Sequence, residues 1–312
     1  MNQTPGWASR PTAWLRSVLL GSVCCLAMAA PALAAGTLEK VRDAGKLTIG
    51  YRTDTRPFSF TDEAGKPAGF SVALCLKVAD AVKVELKLPA LAVEYLPVTA
   101  ADRFEALQQG RIDLSCGTDT PTLERRAVAD FSIPISFAGT GAVVRSDADQ
   151  RLRDALSNKP DPSRPVWRGA PGLFTEKVVF AVVGGTTIER ALIDALKARR
   201  IEVTVAKVPD YAAGLQMVVA RRAAALFGDR PVLLDAAKRG PSAGELVVID
   251  RSFTREPLAL AMRRGDDAFR LLVDRTLSRL YRSKDLAPLY ASYFGAPDAG
   301  TLEFFQAVAL PD

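Results

Sequence analysis

The stretch Gly110-Arg111-Ile112-Asp113-Leu114-Ser115-Cys116-Gly117-Thr118-Asp119-Thr120, followed by Glu124-Arg125, carries the groups that a small carboxylate needs. Its apolar-rich run over 112–116 reads as a short strand, which ends in a Gly/Thr turn presenting backbone N–H groups and hydroxyls. Arg125 lies a few residues on, and a guanidinium can grip two oxygens at once. Donors held by a rigid strand end, joined to a forked cation, make an anion site. A surface turn with a solvated arginine fits the same residues, because Gly/Thr turns are common.

Absences narrow the chemistry. The chain has no histidine, which excludes Ser-His-Asp and Cys-His catalysis and His-based zinc sites. Gly184-Gly185-Thr186-Thr187 has no Gly-Lys-Ser/Thr after it, so a phosphate loop is not indicated. We expect neither a cofactor nor a metal. Lys and Arg number 41 against 35 Asp and Glu; without Arg10 and Arg16 the excess is +4. Those charges are spread rather than clustered, so no nucleic-acid partner is expected.

Residues 1–35 contain Arg10 and Arg16, no acidic residue, an apolar run over 18–30, and then Ala32-Leu33-Ala34. This is the order of a secretory signal peptide cleaved after Ala34 or Ala35, so export to the periplasm is expected. A membrane anchor is the alternative, but the run falls short of the ~20 apolar residues that span a bilayer. Cys24 and Cys25 raise the question of lipidation, which the bulky Val23 before them argues against. Beyond the leader only Cys75 and Cys116 remain, and an oxidising compartment permits one disulfide between them. Two buried thiols are the alternative.

These candidate groups are carried by alternating strands and helices, which makes the fold class α/β. Strands are expected over 46–51, 91–97, 112–116 and 139–144, with helices over 38–42, 71–84 and 99–109, the last closed by Gly110. A charged, Pro-bearing stretch over 146–172 breaks the rhythm and reads as the entry to a second lobe plus a surface loop. Strands over 178–183, 201–205 and 224–227 then alternate with helices over 187–200, 211–221 and 231–238. Strands over 246–249 and 258–262 and helices over 266–282 and 286–294 complete the pattern.

Ile49-Gly50-Tyr51-Arg52, Pro57-Phe58-Ser59-Phe60, Gly69-Phe70-Ser71 and Leu74-Cys75 together resemble the start of the amino-acid-binding solute receptors of ABC importers, solute-binding protein family 3. So do Pro97-Val98-Thr99, Arg103, Leu107-Gln108, Gly110 and Ile112-Asp113. Cys116-Gly117, Thr120 and Glu124-Arg125 resemble the glutamate/aspartate-binding branch, and Gly184-Gly185-Thr186-Thr187 with Asp229 matches the second lobe. The resemblance implies a two-lobed type II periplasmic-binding-protein fold, with paired hinge strands and a ligand enclosed on closure. Residues 36–145 and 251–312 would form a discontinuous lobe 1, and 146–250 lobe 2. The chain would leave lobe 1 near 143–146 and return near 249–256.

Each site residue has an expected role and an alternative. Arg125, with Thr120 and with Thr187 at a helix N-terminus, is expected to take the ligand's α-carboxylate, and Asp229 its ammonium. The resemblance implies that Arg52 and Arg103 hold a side-chain carboxylate. Arg52 could instead pair with Asp54 or Asp62, and Arg103 could lie on the surface near a helix start. Asp229 could only cap the helix that follows it, and Gly185-Thr186-Thr187 could be a plain helix entry. The chain also departs from the branch. Thr118 replaces Ser, Ala100 a donating Ser, Tyr211 a His near the side-chain carboxylate, and Ala73 an acidic residue.

The expected function is therefore a monomeric, non-enzymatic receptor. It would capture an amino acid, with glutamate or aspartate favoured, and deliver it to an inner-membrane ABC permease. A dehydratase-type hydrolyase on the same scaffold would need a further cleft carboxylate, which the motifs do not place. A ligand-sensing module for a membrane sensor is the third reading.

Overall fold

The computed structural model describes residues 36–157, 178–239 and 242–311. The leader expected over 1–35 lies outside these residues, as does 158–172 of the expected loop.

The first run begins with α1 (Thr37–Ala44), which Gly45 ends in the left-handed conformation while donating its N–H to Val41 O. Then come β1 (Lys46–Tyr51), the short strands β2 (Asp54–Thr55), β3 (Ser59–Thr61) and β4 (Pro67–Ala68), and α2 (Phe70–Leu86). After them follow β5 (Ala92–Pro97), α3 (Arg103–Gln108), β6 (Leu114–Asp119), β7 (Ala129–Phe131) and β8 (Ser136–Ala138). The second run holds β9 (Thr140–Arg145), α4 (Gln150–Ser157), β10 (Val179–Val183), α5 (Thr187–Arg199), β11 (Thr204–Val208), α6 (Tyr211–Val219), β12 (Ala225–Asp229), α7 (Arg230–Arg239) and β13 (Leu246–Val248). The chain then returns through β14 (Glu256–Arg263) to α8 (Asp267–Tyr281), α9 (Leu286–Phe294) and α10 (Ala299–Val308).

Two large sheets result, built on one plan, beside a small antiparallel sheet of β2, β3 and β4. The first has the order β5-β1-β6-β14-β7, with β8 also on β14; β1 is parallel to β5 and β6, and β14 runs antiparallel. The second has the order β11-β10-β12-β9-β13, with β10 parallel to β11 and β12, and β9 antiparallel. In each, the antiparallel strand is the one that crosses from the other lobe. The crossing out lies between β8 and β9, earlier than the expected 143–146, because Thr140–Arg145 already pairs with β12 and β13. The crossing back runs beside it: Thr140 donates its N–H to Thr254 Oγ1 at 3.2 Å, and Phe253 donates to Thr140 O at 2.8 Å. Gly139 lets the two approach, since a Cβ there would lie 2.5 Å from Thr254 O.

Packing differs between the lobes. On the first, α2 lays Leu74, Val78 and Val82 against the sheet, and Phe70 meets Tyr290, Tyr293, Phe294 and Phe305 edge-on. Phe305 belongs to α10, a helix that the sequence reading did not include. Cys75 of α2 and Cys116 of β6 are joined by a disulfide that ties this helix to the sheet. In the second lobe the core is smaller, and α4 contributes Leu152 and Leu156 from a stretch read as loop. From Gly36 onward the chain packs as one compact unit.

Candidate functional site

The ends of the parallel strands of both sheets face each other, as ligand sites in such sheets do. From the first lobe come Arg52 after β1, Thr118 and Asp119 on β6, and Thr120 and Arg125 just beyond it. From the second come Thr187 at the head of α5, Tyr211 at the head of α6, and Asp229 at the end of β12. Arg103, at the start of α3, completes the set of eight ligand-binding candidates, all of which lie at strand ends, helix starts or the turns beside them.

The three guanidiniums have different partners. Arg52, 5% exposed, donates through Nε and Nη2 to the two oxygens of Asp54, each at 2.9 Å. Asp54 Oδ2 also accepts the backbone N–H of Tyr211 at 3.0 Å, a contact between the lobes. Arg103, 3% exposed, donates to Asp119 Oδ1 and to Ala100 O, and its guanidinium lies over the Phe104 ring. Asp119 is fully buried, and its second oxygen accepts Ser115 Oγ at 2.7 Å. Among the described residues the Arg125 guanidinium donates to two carbonyls, Thr120 O at 3.0 Å and Gly185 O at 3.3 Å, with Phe104 5.2 Å beneath it. Arg52 thus takes the alternative of pairing with Asp54, while Arg103 is buried rather than on the surface.

Opposite the arginines lie acids. Asp229 Oδ2 accepts the Tyr211 hydroxyl at 3.0 Å, and that hydroxyl in turn accepts the Asp229 N–H at 2.8 Å. Gly228 makes room for the ring, since a Cβ there would lie 2.4 Å from Tyr211 Cε1. Burial pushes the Asp229 carboxyl up to about 6; the Tyr211 hydroxyl opposes this, and the nearby Glu256 adds to it. Thr118 also hydrogen-bonds Asp229 from the other lobe. Glu256, at the start of β14, accepts Thr187 Oγ1 at 2.8 Å. Burial also lowers Arg125, with Arg103 adding repulsion, to about 10, so it stays charged at neutral pH.

The head of α5 is closed by a capping box. Thr186 caps it by accepting Glu189 N–H at 3.2 Å, and Glu189 reaches back to Gly185 N–H at 2.9 Å. A cleft of about 820 Å³ opens beside it, lined by Thr120, Arg125, Thr187 and Glu256 among others. Arg52, Arg103, Thr118, Tyr211 and Asp229 are not on that lining.

Sequence reasoning named Asp54 only as an alternative partner of Arg52, and it gave Asp119 and Glu256 no role. Two carried a signal: Asp54 stands two residues from Arg52 on extended chain, and Asp119 shares a strand face with Ser115 by period-two alternation. Glu256 carried none, because only the returning strand brings it to the cleft.

The family model for bacterial extracellular solute-binding proteins, family 3, matches residues 47–296. The chain is 31% identical over 286 residues to an L-glutamate/L-aspartate-binding protein of Pseudomonas aeruginosa, covering 90% of this chain and 88% of that one. It is 26% identical over 269 residues to a glutamate/aspartate import solute-binding protein of Escherichia coli, covering 86% and 82%. Among solved structures it resembles an ancestral amino-acid-binding protein described as a precursor of cyclohexadienyl dehydratase. That match has a TM-score of 0.65 and 30% identity over 83% of this chain and 100% of the other. With residues 47–296 of its 312 matched, this chain belongs to the bacterial extracellular solute-binding proteins, family 3.

Proposed function

We propose that the protein captures a free α-amino acid between its lobes, in the periplasm after removal of residues 1–35, and delivers it as a monomer to an ABC importer. The observation that carries this is Arg125. It is a half-buried, charged guanidinium whose partners among the described residues are carbonyls, beside the head of α5 and with Asp229 and Glu256 close enough to feel its charge. Carbonyls orient the guanidinium without cancelling its charge, so an α-carboxylate is its natural counter-ion. Asp229 and Glu256 offer the ammonium a negative site, with Thr120 and Thr187 as hydroxyl donors. Relatives named for glutamate and aspartate bring those two ligands forward as the first to test; a second carboxylate would meet Arg52 and Arg103 already paired with Asp54 and Asp119. Titration calorimetry on protein refolded free of carried-over ligand tests the proposal. Micromolar or tighter binding of an L-amino acid is expected, and no binding across the common amino acids would refute it.

A lyase is the second reading, favoured by one observation. Glu256, beside an Asp229 raised to about 6, supplies the further cleft carboxylate that the motifs do not place. Loss of the ring-diene absorbance of a cyclohexadienyl acid such as prephenate on adding the protein would support it.

A further inference from the structure

Resting on the receptor reading, we infer that Asp54 and Asp119 are specificity determinants: they occupy the guanidiniums of Arg52 and Arg103, so the cleft selects an amino acid whose side chain carries no negative charge. Three features carry this.

The first is satisfaction of the two carboxylates. Asp54 binds two guanidinium nitrogens of Arg52 and the Tyr211 N–H, and Asp119 binds Arg103 Nε and Ser115 Oγ. Each is held in place by a second, independent donor, so neither turns away without leaving a buried donor unpaired. The second is tethering. Asp54 is two residues from its arginine and Asp119 sixteen, so each competes with a dissolved carboxylate as an intramolecular group, at an effective concentration of about millimolar or above. A ligand that displaced either one would also leave a buried aspartate without its cation, which is costly.

The third is the charge balance of the cleft. Arg52, Arg103 and Arg125 face Asp54, Asp119, Asp229 and Glu256, one negative charge in excess, and the rest of the lining adds Glu124, Glu189 and Asp194 against Arg190. A zwitterion adds nothing to that balance, a second carboxylate deepens the excess, and an uncharged or cationic side chain does not. The open volume agrees: it touches Arg125, Thr120, Thr187 and Glu256 but neither Arg52 nor Arg103. The side-chain half of the site is filled by the protein's own carboxylates.

The experiment is calorimetry of the refolded full chain against the isosteric pairs L-glutamine and L-glutamate, and L-asparagine and L-aspartate, with L-arginine alongside. Each pair differs in one charge at nearly constant shape. We expect the uncharged member of whichever pair binds to be favoured by about tenfold or more, or arginine to exceed all four. Asp119→Asn or Asp54→Asn should then move the acid-to-amide ratio toward the acid by about tenfold, by releasing an arginine. Glutamate or aspartate binding tighter than its amide in the unaltered protein overturns the inference but leaves the receptor reading standing. Absence of binding to any amino acid overturns both. Because the unaltered protein alone gives the ratio, the inference stays testable if a buried Asp→Asn variant fails to fold.

Discussion

Arg125 and the Arg52/Arg103 pair lie at the same strand ends of the first lobe, yet they are held in opposite ways. Arg52 and Arg103 end on carboxylates, which fix their position and cancel their charge. Arg125 ends on two carbonyls, one from each lobe, which fix position and leave charge to spend. A count of arginines in a motif is therefore not a count of anion sites; the acceptor on each guanidinium decides. The same contrast explains why the lobes come together here. Arg125 Nη2 reaches Gly185 O and Asp54 reaches Tyr211 N–H, so both kinds of arginine site also link the two lobes.

The strongest way to break the contrast is to remove Arg125. Arg125→Ala should weaken amino-acid binding about 1,000-fold, roughly 4 kcal/mol, as expected when one partner of a buried charge pair is truncated. Arg125→Lys keeps the charge but loses the fork, and should fall between. Calorimetry on both variants checks this. If Arg52→Ala costs more than Arg125→Ala, the paired arginines are the ligand's anion site and the contrast is wrong.

Asp229 gives the next largest effect, about tenfold, through pH. The groups facing it are Tyr211, Thr118, Glu256 and Arg52, with Arg125 close enough to feel its charge. Its folded value of about 6 lies above the ordinary 3.8, so between those values the folded protein holds more protons than the unfolded chain. Stability of the ligand-free protein from this group is therefore fully present below about pH 4 and is lost as pH rises through about 6. Ligand binding runs the other way, because the ammonium needs the ionised carboxylate. Affinity should fall about tenfold from pH 7 to pH 5, with proton release on binding near pH 5. Asp229→Asn should bind weakly with a flat profile. A steep profile in that variant would mean that Asp229 is not the group whose proton the ligand displaces.

Much of the scaffold was legible in the sequence. The apolar periodicity of α2, the Gly185-Thr186 entry to α5 and the strand–helix alternation after β10 are local signals, written within a dozen residues. The two- and three-residue strands β2, β3 and β4 are too short to show a period, and α10 hides its Phe304-Phe305 pair behind Pro297. The site divides in the same way. Arg125 and Thr120 announce themselves through turn chemistry, and Thr187 through its helix entry. The Arg103–Asp119 pair joins the start of a helix to the end of a strand, and Glu256 arrives from the far side of the second lobe. Such partners belong to the topology and not to any window of sequence.

The smallest expected effect sharpens the contrast by testing burial. Glu124 and Arg190 form a third Arg–carboxylate pair, at the rim of the cleft and between the lobes, but both side chains are about two-thirds exposed. The Arg190 guanidinium lowers the Glu124 carboxyl, so the pair is formed at neutral pH. Water and ions screen such a pair, and long exposed side chains give up entropy to hold it. Glu124→Gln should therefore change amino-acid affinity by no more than about threefold, and raising the salt from ~0.1 to ~1 M should erase the difference. Asp119→Asn, which breaks a pair of the same chemistry in the interior, should keep its effect at both salt concentrations. Calorimetry at the two ionic strengths separates them. Equal salt sensitivity in the two variants would mean that the cleft interior is as well hydrated as its rim, and that Asp119 does not hold Arg103 away from a ligand.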